Sequence, residues 1–206
     1  MFMLEMYGAT LAQAGRVNED AFLIGRGVPL FAGLCDGAGN AERAAKRVLA
    51  LFEKLIKEAK PGEIQTPEAW SRWVKVLDSS LLGASQSTFL AVAPVENRVI
   101  GVCAGDSRAY LFDRSGEVHI LTEGADKRRL GSGGAVAFSF AHTLTAGATL
   151  LLCSDGVWTV LGGYSLRKTV LAARMKNFAD MPSAILEAAG KNGRVDDQTA
   201  VCMRLK

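Results

Sequence analysis

The chain has 206 residues, 49% hydrophobic and 22% charged, a size and balance that suit one globular domain and exclude a disordered or low-complexity protein. Its 24 basic and 21 acidic residues leave a net charge of +3 with no long run of one sign, so neither nucleic acid nor a membrane surface is indicated as a partner. No basic, apolar leader opens the sequence and no apolar run approaches the roughly 20 residues of a membrane span, so a cytoplasmic protein is expected.

Residues 2–11, 21–25 and 30–35 have strand character, and they read as neighbours in one sheet. Apolar side chains recur at helical intervals over residues 41–60, with charges between them, which predicts an amphipathic helix. Thr66 and Pro67 supply the cap and first position of a second helix, whose inner face carries Trp70, Trp73, Val74, Leu77 and Leu81. Strands follow at 87–93, 99–104, 109–112 and 118–121, joined by turns at 94–97 and 113–116 that predict antiparallel hairpins. The polar, glycine-rich stretch 123–134 reads as a loop, with Gly131-Ser132-Gly133-Gly134 as a flexible turn. Further strands at 135–144 and 149–153, a helix at 165–179, another from Pro182 and a last strand at 199–205 complete one α+β layered domain over residues 1–206. Cys35, Cys103, Cys153 and Cys202 lie far apart in apolar runs, as reduced core thiols do. His119 and His142 fall inside strands and read as hydrogen-bonded or surface side chains.

Acidic residues recur at the ends of these strands. Asp36 follows the strand at 30–35, Asp106 the strand at 99–104 and Asp155 the strand at 149–153; Asp196-Asp197 precedes the last strand, and Glu19-Asp20 precedes the second. Any one of them is an ordinary turn residue. Carboxylates converging on one sheet edge would repel one another unless cations lay between them, and an all-oxygen donor set favours hard Mg²⁺ or Mn²⁺ over zinc.

These residues also carry a resemblance. Asn18-Glu19-Asp20-Ala21, Asp36-Gly37-Ala38-Gly39, Ser87-Thr88, Gly105-Asp106-Ser107-Arg108, Ser154-Asp155-Gly156-Val157-Trp158 and Asp196-Asp197-Gln198-Thr199 occur in the order seen in the type 2C family of metal-dependent serine/threonine protein phosphatases. The resemblance implies two stacked, mainly antiparallel β-sheets flanked by helices, an α-β-β-α sandwich, with two divalent cations at one end. It implies that Asp36 bridges both ions, that the Gly37 carbonyl completes one of them, and that Asp155 and Asp196 hold the other. Glu19 and Asp20 resemble the acidic pair that acts mainly through ordered waters, and Asp106 with Asp155 the holders of a weaker third ion. Arg16 is the matching clamp for a phosphoryl group, so Arg16, Asp20 and Asp36 are the candidate catalytic residues. The implied reaction is hydrolysis of phosphoserine or phosphothreonine in a protein substrate by a water activated between two metals, opposing a serine/threonine kinase, in a monomer.

The sequence departs from the family at four places. Only Val17 separates Arg16 from Asn18, one residue fewer than usual; Ala38 stands where many members carry a histidine; residues 123–134 make a reduced flap region; and Asp197 replaces a commoner asparagine. The first three motivate an alternative, a catalytically weak or inactive regulatory or binding module on the same fold. A more distant one is an unrelated sheet protein whose Asp-Gly pairs are turns. Lys127, Arg128 and Arg129 read either as attracting a phosphorylated partner or as a solvated basic loop.

Overall fold

The computed structural model describes residues 4–38, 42–60, 62–191, 193 and 195–205. Strand β1 (Leu4–Leu11) is followed by β2 (Ala21–Gly25), β3 (Phe31–Cys35) and the short β4 (Gly37–Ala38), then by helices α1 (Glu42–Glu58) and α2 (Pro67–Leu81). Next come β5 (Gln86–Ser87), β6 (Phe89–Val95), β7 (Arg98–Ala104), β8 (Arg108–Phe112), β9 (Val118–Ile120), β10 (Phe138–Thr143) and β11 (Thr149–Cys153). Helix α3 (Asp155–Arg174), a 3₁₀ turn at Phe178–Asp180, α4 (Met181–Gly190) and β12 (Gln198–Leu205) end the chain.

Two five-stranded sheets form, one in the order β1-β12-β11-β8-β9 and one in the order β10-β7-β6-β3-β2, and every pairing is antiparallel. The strands read as nearly continuous apolar runs because both faces of each sheet are covered. In β6, Leu90 and Val92 pack between the sheets while Phe89, Ala91 and Ala93 face α1 and α2. In β11, Leu150 and Leu152 take the inter-sheet layer while Leu151 and Cys153 meet α3 and α4. The result is the α-β-β-α sandwich that the resemblance implied. Trp70 and Trp73 lie in the layer under α1 and α2, as their spacing predicts, and all four cysteines are buried free thiols.

Three elements differ from the sequence reading. β1 is not in the sheet of β2 and β3: it pairs along its whole length with β12, from Leu4 opposite Leu205 to Leu11 opposite Gln198, so residues 12–20 cross from one sheet to the other. The helix expected at 165–179 follows Gly162, whose non-helical backbone (φ 62°, ψ 169°) divides α3 in two; the first helical segment, from Asp155 to that break, was not expected. Gly156 looks like the end of a turn, yet Ser154 stands at the N-cap and Val157 and Leu161 bury in the layer beneath α3. The strand expected at 135–144 starts only at Phe138, because the Ala135 amide is drawn to the Asp78 carboxylate.

Register sets the position of the acids. Ala21 opposes Cys35, Phe89 opposes Ala104, and Cys153 opposes both Ala200 and Arg108. The starts of β2, β8 and β12 and the ends of β3, β7 and β11 therefore share one end of the sandwich.

Candidate metal centre

One oxygen from each of Asp36, Asp106 and Asp155 lies within 4.8 Å of the other two, although these residues leave three different strands. The Asp36 backbone is held on both sides: its amide donates to Thr88 Oγ1 at 2.9 Å and its carbonyl accepts from the Thr88 amide at 2.8 Å and from Ser87 Oγ at 3.1 Å. Thr88 Oγ1 in turn meets Ser107 Oγ at 2.8 Å, so the Ser87-Thr88 pair links the loops that carry Asp36 and Asp106. Gly105 has a φ of +99°, and a side chain there would run into Thr88, 2.9 Å away. Trp158 Nε1 donates to the Asp106 carbonyl at 3.1 Å, tying that loop to α3.

Asp155 opens α3, where the positive end of the helix dipole favours a carboxylate. Asp196 is exposed beside it, raising the Asp155 pKa through its charge, while Asp196 Oδ1 accepts from the Asp197 amide at 2.8 Å. Asp197 is buried, and its two oxygens accept the amides of Gln13 and Glu19, each at 2.6 Å. The loop that bears Glu19 and Asp20 is thus fastened to the start of β12. The Glu19 carbonyl accepts from the Gly37 amide at 3.2 Å, which joins it to the Asp36 turn. Arg16 lies in an exposed turn of that same loop, outside the three-acid group.

Asp20 and Asp36 hold protons into the neutral range. Burial raises Asp20 to about 7, with Asp197 and Asp155 adding to the rise and the Ser154 and Thr199 hydroxyls opposing it. Asp36 is pushed to about 8 by burial and then by Asp20, against the pull of Arg129, with Asp155 and Asp106 contributing further. Asp155 is raised by burial, Asp106 and Asp196, and is lowered by Arg129 and the Gly156 amide. Asp20, Asp36, Asp106, Asp155 and Asp196 therefore form one electrostatic unit.

This set fits hard divalent cations. Every donor is an oxygen, and Asp20 Oδ2 and Asp106 Oδ1 are buried without a hydrogen-bond partner among the described residues, the cost of which a bound cation removes. Beside Asp106 opens a cavity of about 340 Å³ lined by Arg108, Glu123, Lys127 and Trp158 among others, with the Arg108 guanidinium 3.5 Å from the Trp158 ring centre. A larger cavity of about 700 Å³ between β1 and α4 is lined by none of the clustered acids, so chemistry and not volume marks the site.

The roles of three side chains escaped the sequence reading. Arg129 enters the acid group, with Nη2 3.5 Å from Asp36 Oδ2 and 3.7 Å from Asp106 Oδ1, whereas its neighbour Arg128 pairs outside with Asp126 at 2.9 Å. Asp197 is the anchor just described. Asp78, buried on α2, accepts the amides of Gly131, Gly133 and Ala135 at 2.7, 3.2 and 3.3 Å, so the turn expected to be flexible is pinned. Of these only Asp78 left a signal: it follows Val74 by four residues, a carboxylate on the apolar face of its helix.

No protein-family model matches the chain, and no curated protein matches it in sequence. Solved structures do. The catalytic domain of the serine/threonine phosphatase PstP, in complex with two manganese ions, superposes with a TM-score of 0.85 at 21% identity, over 100% of this chain and 99% of that one. The serine/threonine phosphatase of S. agalactiae gives 0.88 at 18% identity over 99% and 100% of the two chains, and Stp1 of Staphylococcus aureus 0.86 at 19% over 99% and 96%. The chain has the fold of these bacterial phosphatases. At such identities the likeness speaks for the sandwich and its topology alone.

Proposed function

We propose that the chain is a type 2C phosphatase, a metal-dependent enzyme that hydrolyses phosphoserine or phosphothreonine esters in proteins. The observation that carries this reading is the meeting of Asp36, Asp106 and Asp155 within 4.8 Å at one end of the sandwich. Asp36, with the Gly37 carbonyl, would hold two Mg²⁺ or Mn²⁺ ions, Asp155 and Asp196 would complete the second, and Glu19 and Asp20 would act through waters. Asp106 and Asp155 would hold a weaker third ion. Bound there, the ions supply Lewis acidity to the phosphoryl group and activate a water for in-line attack.

The chain's own part is to hold the acids rigidly. Ser87 and Thr88 fix Asp36, Asp197 fixes the Glu19-Asp20 loop, and Trp158 fixes Asp106. Arg16, on the exposed loop before Glu19, would meet the phosphoryl oxygens, and the cavity beside Asp106 would receive substrate residues flanking the phosphoester. The partner is a phosphorylated protein, opposing a serine/threonine kinase, and the buried free thiols suit the reducing cytoplasm, where the chain would act as a monomer. No helix among the described residues is long and apolar enough to cross a membrane.

The test is release of phosphate from a phosphothreonine peptide with and without added Mn²⁺. Turnover should require the metal and fall by at least about a hundredfold in Asp36→Asn and Asp155→Asn. Metal-independent turnover, or variants as active as the parent, would overturn the reading. Arg16→Ala should raise KM with a smaller change in kcat, as expected for a group that binds the phosphoryl oxygens.

A further inference from the structure

Arg129 is placed where it is by its backbone. The Leu130 amide donates to the Ser87 carbonyl at 2.8 Å and the Ser87 amide to the Leu130 carbonyl at 3.2 Å, a bridge between residues far apart in sequence. Gly131 is held by Asp78, and a side chain at that position would lie 2.2 Å from the Ser85 carbonyl oxygen, so the chain passes tightly over the start of β5. Ser87 is itself bonded to the Asp36 carbonyl. The guanidinium and the acid it faces are therefore fixed in one hydrogen-bonded frame. The Arg129 side chain is only 22% exposed and reaches both Asp36 and Asp106 at once.

We propose that Arg129 is a tethered counter-cation of the carboxylate centre, which divalent ions must displace from Asp36 and Asp106 in order to bind. The inference rests on the metal-binding reading above and adds a residue-level control to it. A guanidinium and a divalent ion compete for the same oxygens, so each is attracted by the charge the other would neutralise. In the metal-free protein Arg129 offsets repulsion among the acids and keeps their loops together. In the loading protein it must be expelled, so it raises the metal concentration that filling requires. The two effects have opposite signs for one substitution, which separates this role from ordinary packing: loss of a packing side chain would weaken both the metal-free fold and the metal site.

The experiment uses the full chain stripped with a chelator. MnCl2 is titrated calorimetrically into the parent protein, Arg129→Gln and Arg129→Lys, and thermal unfolding of each is recorded in chelator. Arg129→Gln should bind Mn²⁺ about tenfold or more tightly while unfolding at a lower temperature without metal, and Arg129→Lys should fall between it and the parent. Equal or weaker Mn²⁺ binding by Arg129→Gln overturns the proposal, whatever that variant's stability. If Arg129→Gln does not fold in chelator, Arg129→Lys decides, since its compact ammonium loses the two-carboxylate reach and should still bind more tightly than the parent; equal or weaker binding overturns the proposal. Absence of Mn²⁺ binding in parent and variants alike would bring down the proposed function and this inference with it, whereas equal binding in all three removes the inference alone.

Discussion

A methyl group on Gly156 would lie 2.1 Å from the Asp197 carbonyl oxygen and 3.3 Å from Asp196 Cβ. The first turn of α3 and the lead-in to β12 can touch only because that side chain is missing, and this contact brings Asp155 and Asp196 together. Gly156→Ala should cost about 1–3 kcal/mol in denaturant unfolding and weaken Mn²⁺ binding in parallel. Asp197 acts on the other side of the same junction. Asp197→Ala would leave the Gln13 and Glu19 amides without their acceptor, with an expected loss of about 2–3 kcal/mol and a displaced Glu19-Asp20 loop, readable by unfolding and by Mn²⁺ titration. At this scale the acids were legible because each stands next to an apolar strand, as Asp36 does after Cys35 and Asp155 does two residues beyond Cys153. Arg129 was not legible: its sequence neighbours Lys127 and Arg128 look no different, and only closure of the loop onto Ser87 and Asp78 chooses among the three.

The strands of the two sheets could be read from their apolar runs, since layers on both faces leave little room for polar residues. What could not be read was pairing. β1 has the length and pattern to join β2 and β3, but its partner is supplied by the last eight strand residues of the chain, and no local signal marks such a distant ladder. The start of α3 was hidden for another reason, because the glycine at 156 answers to the close approach of β12 and not to a turn. Asp78 joins two elements that periodicity treats separately, α2 and the loop before β10. Asp78→Ala should leave the Gly131, Gly133 and Ala135 amides unpaired, cost about 1–3 kcal/mol and open residues 131–135 to faster hydrogen exchange and proteolysis, while α2 itself remains protected.

For the molecule as a whole, the raised acids give a stability that depends on pH with a definite sign. Asp20 and Asp36 titrate at about 7 and about 8 in the folded protein and at about 4 when unfolded. Between these limits the folded state binds more protons than the unfolded one, so metal-free stability is greatest below about pH 4 as far as these groups are concerned and declines as pH rises to about 8. Thermal unfolding in chelator should therefore show a falling Tm from pH 5 to about 8, and saturating Mn²⁺ should flatten or reverse the slope. A Tm in chelator that climbs over that interval would mean the acids are not crowded as described.

The last strand, β12, lies second in its sheet, flanked by β1 on one side and β11 on the other. During synthesis both flanking segments emerge well before it, each with a row of unpaired backbone groups and no partner on that side. Half of the sandwich must wait in this state until residues 198–205 leave the ribosome, and the end that carries the acids can assemble only then. A nascent chain stalled near residue 190 should accordingly be prone to self-association and protease attack, and should acquire protection abruptly when the final segment slots into place.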